Sequence, residues 1–249
     1  MSNHMTAIGF DVHSEEDFEE VAEYAYETGE SIETARGTYL RARAGSGIEI
    51  WLQMNTEQQV IGLNPHYEGS SRFKVRLTDE IIRSEGSELD GTFHVWAEFD
   101  GETEESGSYP FVFEMPNRAV YGDVQLPRSV SIQLTAFAHE LSVFDNEEHF
   151  HASQQQAEVK FAAESFIPTG LFGEADEPGS MAMFTGQVVE SAWITNEQTG
   201  KDFHWALVRT LGGEIDVVAD RETLEADIPV GGIVSGTFWL SAKIMEESA

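Results

Sequence analysis

Between Ile8 and Ser31 the chain reads IGFDVHSEEDFEEVAEYAYETGES, its clearest helical stretch, and most of the remaining sequence alternates as strands do. Phe18, Val21, Ala22, Ala25 and Tyr26 recur at i, i+3, i+4, i+7 and i+8, which predicts one apolar helix stripe. Ser14 is placed as the N-cap, and Glu15, Glu16 and Asp17 put negative charge at the positive end of the helix dipole. Gly29 is expected to stop the helix in a left-handed turn. A short strand is expected ahead of the helix, from Ile8. With one strong helix and many short strands, the fold class expected is α+β, mostly β.

After the helix, residues 31–44 and 48–54 read as a hairpin turning at Gly45, Ser46 and Gly47. In the second run Ile48, Ile50 and Leu52 alternate with Glu49, Trp51 and Gln53, the pattern of a half-buried strand. Val60 to Leu63 is a further short strand, closed at Asn64-Pro65. Strand, helix and three strands give a βαβββ order over residues 6–64. That order, with IGFDV followed by EIWLQ, resembles one module of the vicinal oxygen chelate (glyoxalase and dioxygenase) superfamily. The resemblance covers about a quarter of the chain and rests on pattern.

Residues 73–83, 91–99 and 109–114 read as strands, with DGETEESGS (100–108) a solvated tip between the last two. VSIQLTAFAHELSVF (130–144) fits helical and alternating spacing; the Asp145-Asn146 turn directly after it favours a long strand. Asn146-Glu-Glu-His-Phe150 echoes Ser14-Glu-Glu-Asp-Phe18, which suits two similar helix caps or a worn internal repeat. PTGLFGEADEPGS (168–180) breaks the pattern. The expected organisation is an α+β domain over residues 1–170, a linker over 171–180 and a β-barrel domain over 181–249. Three meandering strands, a connection over 220–232 and a closing strand resemble a small OB-like barrel across 181–244.

Charge bounds the partners. Asp plus Glu number 45 against 14 Lys plus Arg, a formal charge of −31. Lys74, Lys160, Lys201 and Lys243 are the four lysines. Such a surface repels phosphate backbones, so direct nucleic-acid binding is not expected. It suits hydration in a salty cytoplasm, or mimicry of nucleic acid towards a basic partner. No cysteine is present, which removes disulfides and thiolate chemistry and fits a reducing cytoplasm. No window approaches the apolar length of a membrane helix. Sheet edges are able to pair, so oligomers are compatible with this reading.

No catalytic signature stands out, and the composition leaves enzyme and binder open. If the vicinal-oxygen-chelate resemblance holds, Glu49 with His13 or His66 would ligate a divalent metal, although Phe10 stands where a mid-strand ligand is expected. His149 and His151 diverge by about 200° on a helix and do not chelate there. The five tryptophans all fall on expected strands. Trp205, with His204 and Arg209 on the same strand, is the candidate ligand pocket, and packing is the plainer role for such residues. The leading expectation is a cytoplasmic, non-catalytic module for a protein or small-molecule partner, with no cofactor. A metal enzyme is the alternative, and an acidic nucleic-acid mimic the third reading.

Overall fold

A computed structural model describes residues 4–83, 87, 89–98, 107–172 and 178–245. The chain is mostly β, in two sheets with few helices. The tip at 100–106 and residues 173–177 of the expected linker lie outside the described residues. Ahead of the first helix the chain does not form the strand expected there. Thr6–Ile8 is a 3-10 turn closed by Gly9 in the left-handed region, φ 82°. Phe10 and Val12 come next as a buried strap, so the order from residue 6 is turn, helix and four strands.

The helix α1 (Glu15–Thr28) carries the expected cap. Ser14 accepts from the Asp17 backbone, and the Asp17 carboxylate accepts from the Ser14 backbone in return. Two expectations are corrected. Gly29 is extended rather than left-handed; it is small because a Cβ there would lie 2.8 Å from Leu40. The apolar stripe is narrower than its spacing suggests. Val21 and Ala25 are buried, whereas Phe18 and Tyr26 are 41% and 62% exposed.

The first sheet is an antiparallel meander of β1 (Glu30–Thr34), β2 (Gly37–Arg43), β3 (Ile48–Met54) and β4 (Val60–Tyr67). A turn at Ala35-Arg36 divides the run expected as one strand over 31–44. The hairpin at 45–47 is present, joining β2 to β3. Strand β4 runs on through Asn64-Pro65, where a turn was expected; as an edge strand it needs no ladder donor from Pro65. One face presents Leu40, Ala42, Ile48, Ile50, Leu52 and Leu63 to α1 and the N-terminal strap. Strand β3 is buried on both faces, against the half-buried expectation. The cover on its polar face comes from residues far along the chain, Lys243 among them.

The second sheet holds β5 (Phe73–Glu80), β6 (Gly91–Glu98), β7 (Gly107–Met115), β8 (Arg128–Phe144), β9 (Ser165–Ile167), β10 (Met181–Thr195), β11 (Asp202–Thr210), β12 (Gly213–Ala219) and β13 (Ile233–Ile244). A short helix α2 (Glu147–Ser153), capped by Asn146, comes after β8. Residues 128–144 do form the long strand. Its length lets β8 pair with β13 from Ile132 to Phe144, and on its other edge with β5 and then β12. The pairings close two rings that share the β8–β13 ribbon: β8-β5-β6-β7-β13 and β8-β12-β11-β10-β13. Alternation along β8 sends Val130, Ile132, Leu134 and Ala136 into one continuous core with Phe93, Phe111, Phe113, Phe184 and Phe238. The intervening Gln133, Thr135 and Phe137 face outwards, where the first sheet docks.

Candidate functional site

The first sheet meets the outer wall of the β8-β12-β13 region along a buried polar seam. Asp216 on β12 is its most heavily bonded member and is fully buried. Its carboxylate accepts from the Ser70 backbone at 3.1 Å, the Ser71 backbone at 2.9 Å, the Gln133 amide at 2.7 Å and the Trp205 indole at 2.8 Å. A buried carboxylate is tolerated only with such a donor set. Gly69 belongs to the same arrangement, because a Cβ there would lie 2.1 Å from an Asp216 oxygen. The turn between the two sheets is therefore clamped onto β12.

Gln133 fixes the next member. Its NH2 group donates to Asp216 and to the Tyr67 carbonyl, so its Oε1 is an acceptor. His66 lies 2.7 Å from that oxygen through Nε2 and 2.9 Å from the Ser241 hydroxyl through Nδ1. The imidazole is thus neutral with its proton on Nε2, and Ser241 donates to Nδ1. Burial, helped by the Lys243 charge, pushes its pKa down to about 3. Both ring nitrogens are engaged.

Glu49 faces His66 across the β3–β4 ladder on the same side of the sheet. It is 1% exposed and accepts from Lys243 at 2.9 Å and from the Trp51 indole at 3.0 Å. Its second oxygen has no hydrogen-bond partner among the described residues, and Arg43 and Arg41 stand off at 3.5 and 3.7 Å. Burial opposes its charge, but Lys243, with contacts to Glu68 and Trp51, outweighs burial and holds its carboxyl below the usual range. Glu49 is an ionised anchor for Lys243, not an acid held for proton transfer.

The sequence-derived metal set is brought together only in part. Glu49 and His66 are neighbours, whereas His13 stands exposed before α1, 2.9 Å from Asp11. A divalent ion beside Glu49 would meet Lys243, Arg41 and Arg43, and would have to displace one partner of His66. As arranged, this donor set does not fit one. Among the described residues no group of three or more His, Asp or Glu side chains is placed to hold a metal.

The expected ligand pocket divides. Trp205 faces the seam through Asp216, while its neighbour His204 points to the opposite side of β11. Arg209 is exposed and bound to Glu164 and Gln187. His204 has a different aromatic partner, Trp193, its cross-strand neighbour on β10, with ring centroids 3.5 Å apart.

Compared with known protein families, curated proteins and solved structures, the chain matches none.

Gln133, Asp216 and Lys243 carry the seam, and none of them stands out in the sequence as a site residue. Each sits at an outward position of a strand expected to alternate, so the one available signal was a lone polar or charged residue among apolar neighbours. No described helix is long and apolar enough to cross a membrane.

Proposed function

We propose that this protein is a non-catalytic binding or interaction module of the cytoplasm. One observation carries the reading: Glu49 and His66, on the first sheet, are committed to partners on the second, and Asp216 to the turn between the sheets. A carboxylate held by an ammonium and an imidazole engaged at both nitrogens supply rigidity, not proton transfer. The cysteine-free composition supports a reducing compartment. In this reading the first sheet is a buttress, and the OB-like ring β8-β12-β11-β10-β13 is the part that meets a partner.

A thermal-shift screen over chemically diverse small molecules tests this, with NMR of each hit recovered after prolonged incubation. The expected result is at least one saturable stabiliser returned unchanged. Turnover of a stabiliser would overturn the reading, as would stoichiometric metal in protein purified without chelators and lost on Glu49→Ala.

A further inference from the structure

The apolar spacing along α1 asks for more cover than the fold supplies. Phe18, Val21, Ala22, Ala25 and Tyr26 fall on two adjacent rows of the helix. Val21 and Ala25 make the row that is buried against the first sheet, in one core with Leu40 and Ala42. Phe18, Ala22 and Tyr26, at i, i+4 and i+8, make the next row. Ala22 is half-buried at its centre, while Phe18 is 41% and Tyr26 62% exposed on either side. Two aromatic side chains of one row are thus left largely in solvent.

Alongside runs a third row, Glu15, Glu19, Glu23 and Glu27, all exposed. The ion pairs nearest in sequence, Asp11 with Lys201 and Glu30 with Arg41, lie before and after the helix, and α1 itself holds no base. Like charges at i, i+4 repel, so the fold gains nothing from this row. An apolar row edged by acids is complemented by an apolar row edged by cations. A second copy pairing α1 with α1 would bring acid row to acid row, and the net charge of −31 adds to that repulsion. An extended segment turns alternate side chains to opposite faces, so it cannot offer an apolar and a basic row to one surface. A helix can, because its adjacent i, i+4 rows have the same rise as those of α1.

We propose that the Phe18–Ala22–Tyr26 row of α1 is a docking surface for a basic amphipathic helix of a partner protein. The partner's apolar row packs over Phe18 and Tyr26, and the small Ala22 between them lets the two helices approach. Its Lys or Arg row pairs with the glutamates of the neighbouring row. This surface is separate from the ring of strands, so it goes beyond the binding-module reading and does not depend on it.

Fluorescence anisotropy on the full chain tests it, with a labelled synthetic peptide of about 20 residues, long enough to be helical. The probe carries leucine at i, i+4 and i+8 and lysine along the adjacent row. Salt is held at about 0.15 M, where long-range attraction to an acidic surface is largely screened. Saturable binding is expected. Phe18→Ser with Tyr26→Ser, both at exposed positions, should weaken it at least about tenfold, because the aromatic anchors are lost. Glu19→Gln with Glu23→Gln should also weaken it and lower its salt dependence. Glu16→Gln with Glu20→Gln removes the same charge from the flank turned away from Phe18 and should leave the affinity within about twofold. A peptide of identical composition with leucine and lysine alternating should bind at least about tenfold more weakly. Equal binding of that peptide, or equal losses from the two glutamine pairs, would show that net charge alone attracts the probe and would overturn the proposal. Absence of saturable binding by the patterned probe overturns it as well, and leaves the ring reading standing.

Discussion

At the scale of single residues, the seam shows how much one carboxylate organises. Asp216 satisfies four donors drawn from three separate segments of the chain. Asp216→Asn keeps the shape but turns one acceptor into an NH2 group facing other donors. We expect a loss of about 2–4 kcal/mol in urea unfolding, because buried donors lose their partner. His66 makes a separate prediction in pH. Its folded pKa is lowered to about 3, below the unfolded value near 6.5. Between those limits the unfolded chain binds a proton that the folded chain refuses, so stability falls as pH falls. The slope from this ring is about 1.4 kcal/mol per pH unit at most. Glu49 acts in the same direction, its depressed carboxyl being lost as pH drops through its folded value. His66→Asn should lower stability at pH 7 and flatten its pH dependence between about pH 6.5 and 5, read from urea midpoints across a buffer series. An unchanged slope would mean that the folded ring protonates freely.

At the scale of elements, α1 works against its own charge. Glu15, Glu19, Glu23 and Glu27 repeat at i, i+4, and no base stands in the last turn. Like charges at that spacing repel, and a glutamate near the C-terminus opposes the dipole. Replacing Glu23 and Glu27 together by lysine should stabilise the protein by about 1 kcal/mol at low salt, with most of the gain gone at molar salt. Denaturant midpoints at the two salt levels measure it. Legibility in the sequence obeys the same division between local and distant causes. The Ser14 and Asn146 caps, the 45–47 hairpin and the long strand over 130–144 are written in adjacent residues, and each is present. The absence of an Ile8 strand was not recoverable, because Gly9 turns the chain there and the strap is held from outside. Asn196 donates to the Ile8 carbonyl at 2.9 Å and Thr199 to that of Gly9 at 2.7 Å. The same applies to the second face of β3. Glu49 looks like a solvated residue until Lys243, 194 positions away, arrives over it. The aromatic contact at His204 is half legible: the expected pocket includes His204, but its ring partner Trp193 comes from the neighbouring strand of the ladder, which only the register sets beside it.

For the whole molecule, the β8–β13 ribbon decides what unfolds together. Strand β13 is laddered to β8 along its whole length, from Ile233 to Ile244, and β12 takes its outer pairing from the same strand. Residues 181–249 contain β10 to β13 without β8. Cut out, they would leave one edge of β12 and one of β13 open, together with the apolar side chains that Leu134, Ala136 and Ala138 cover. Open edges of that kind template association. The −31 charge of the full chain gives no structural substitute for a missing strand. We therefore expect the isolated 181–249 segment to lack a cooperative thermal transition and to associate. Adding the 128–144 strand through a short linker should restore a two-state melt. Calorimetry with size-exclusion chromatography on the two fragments separates these outcomes. A monomeric, cooperatively melting 181–249 fragment would show that the four strands close on themselves, and that β8 is a late addition to a ring already stable without it.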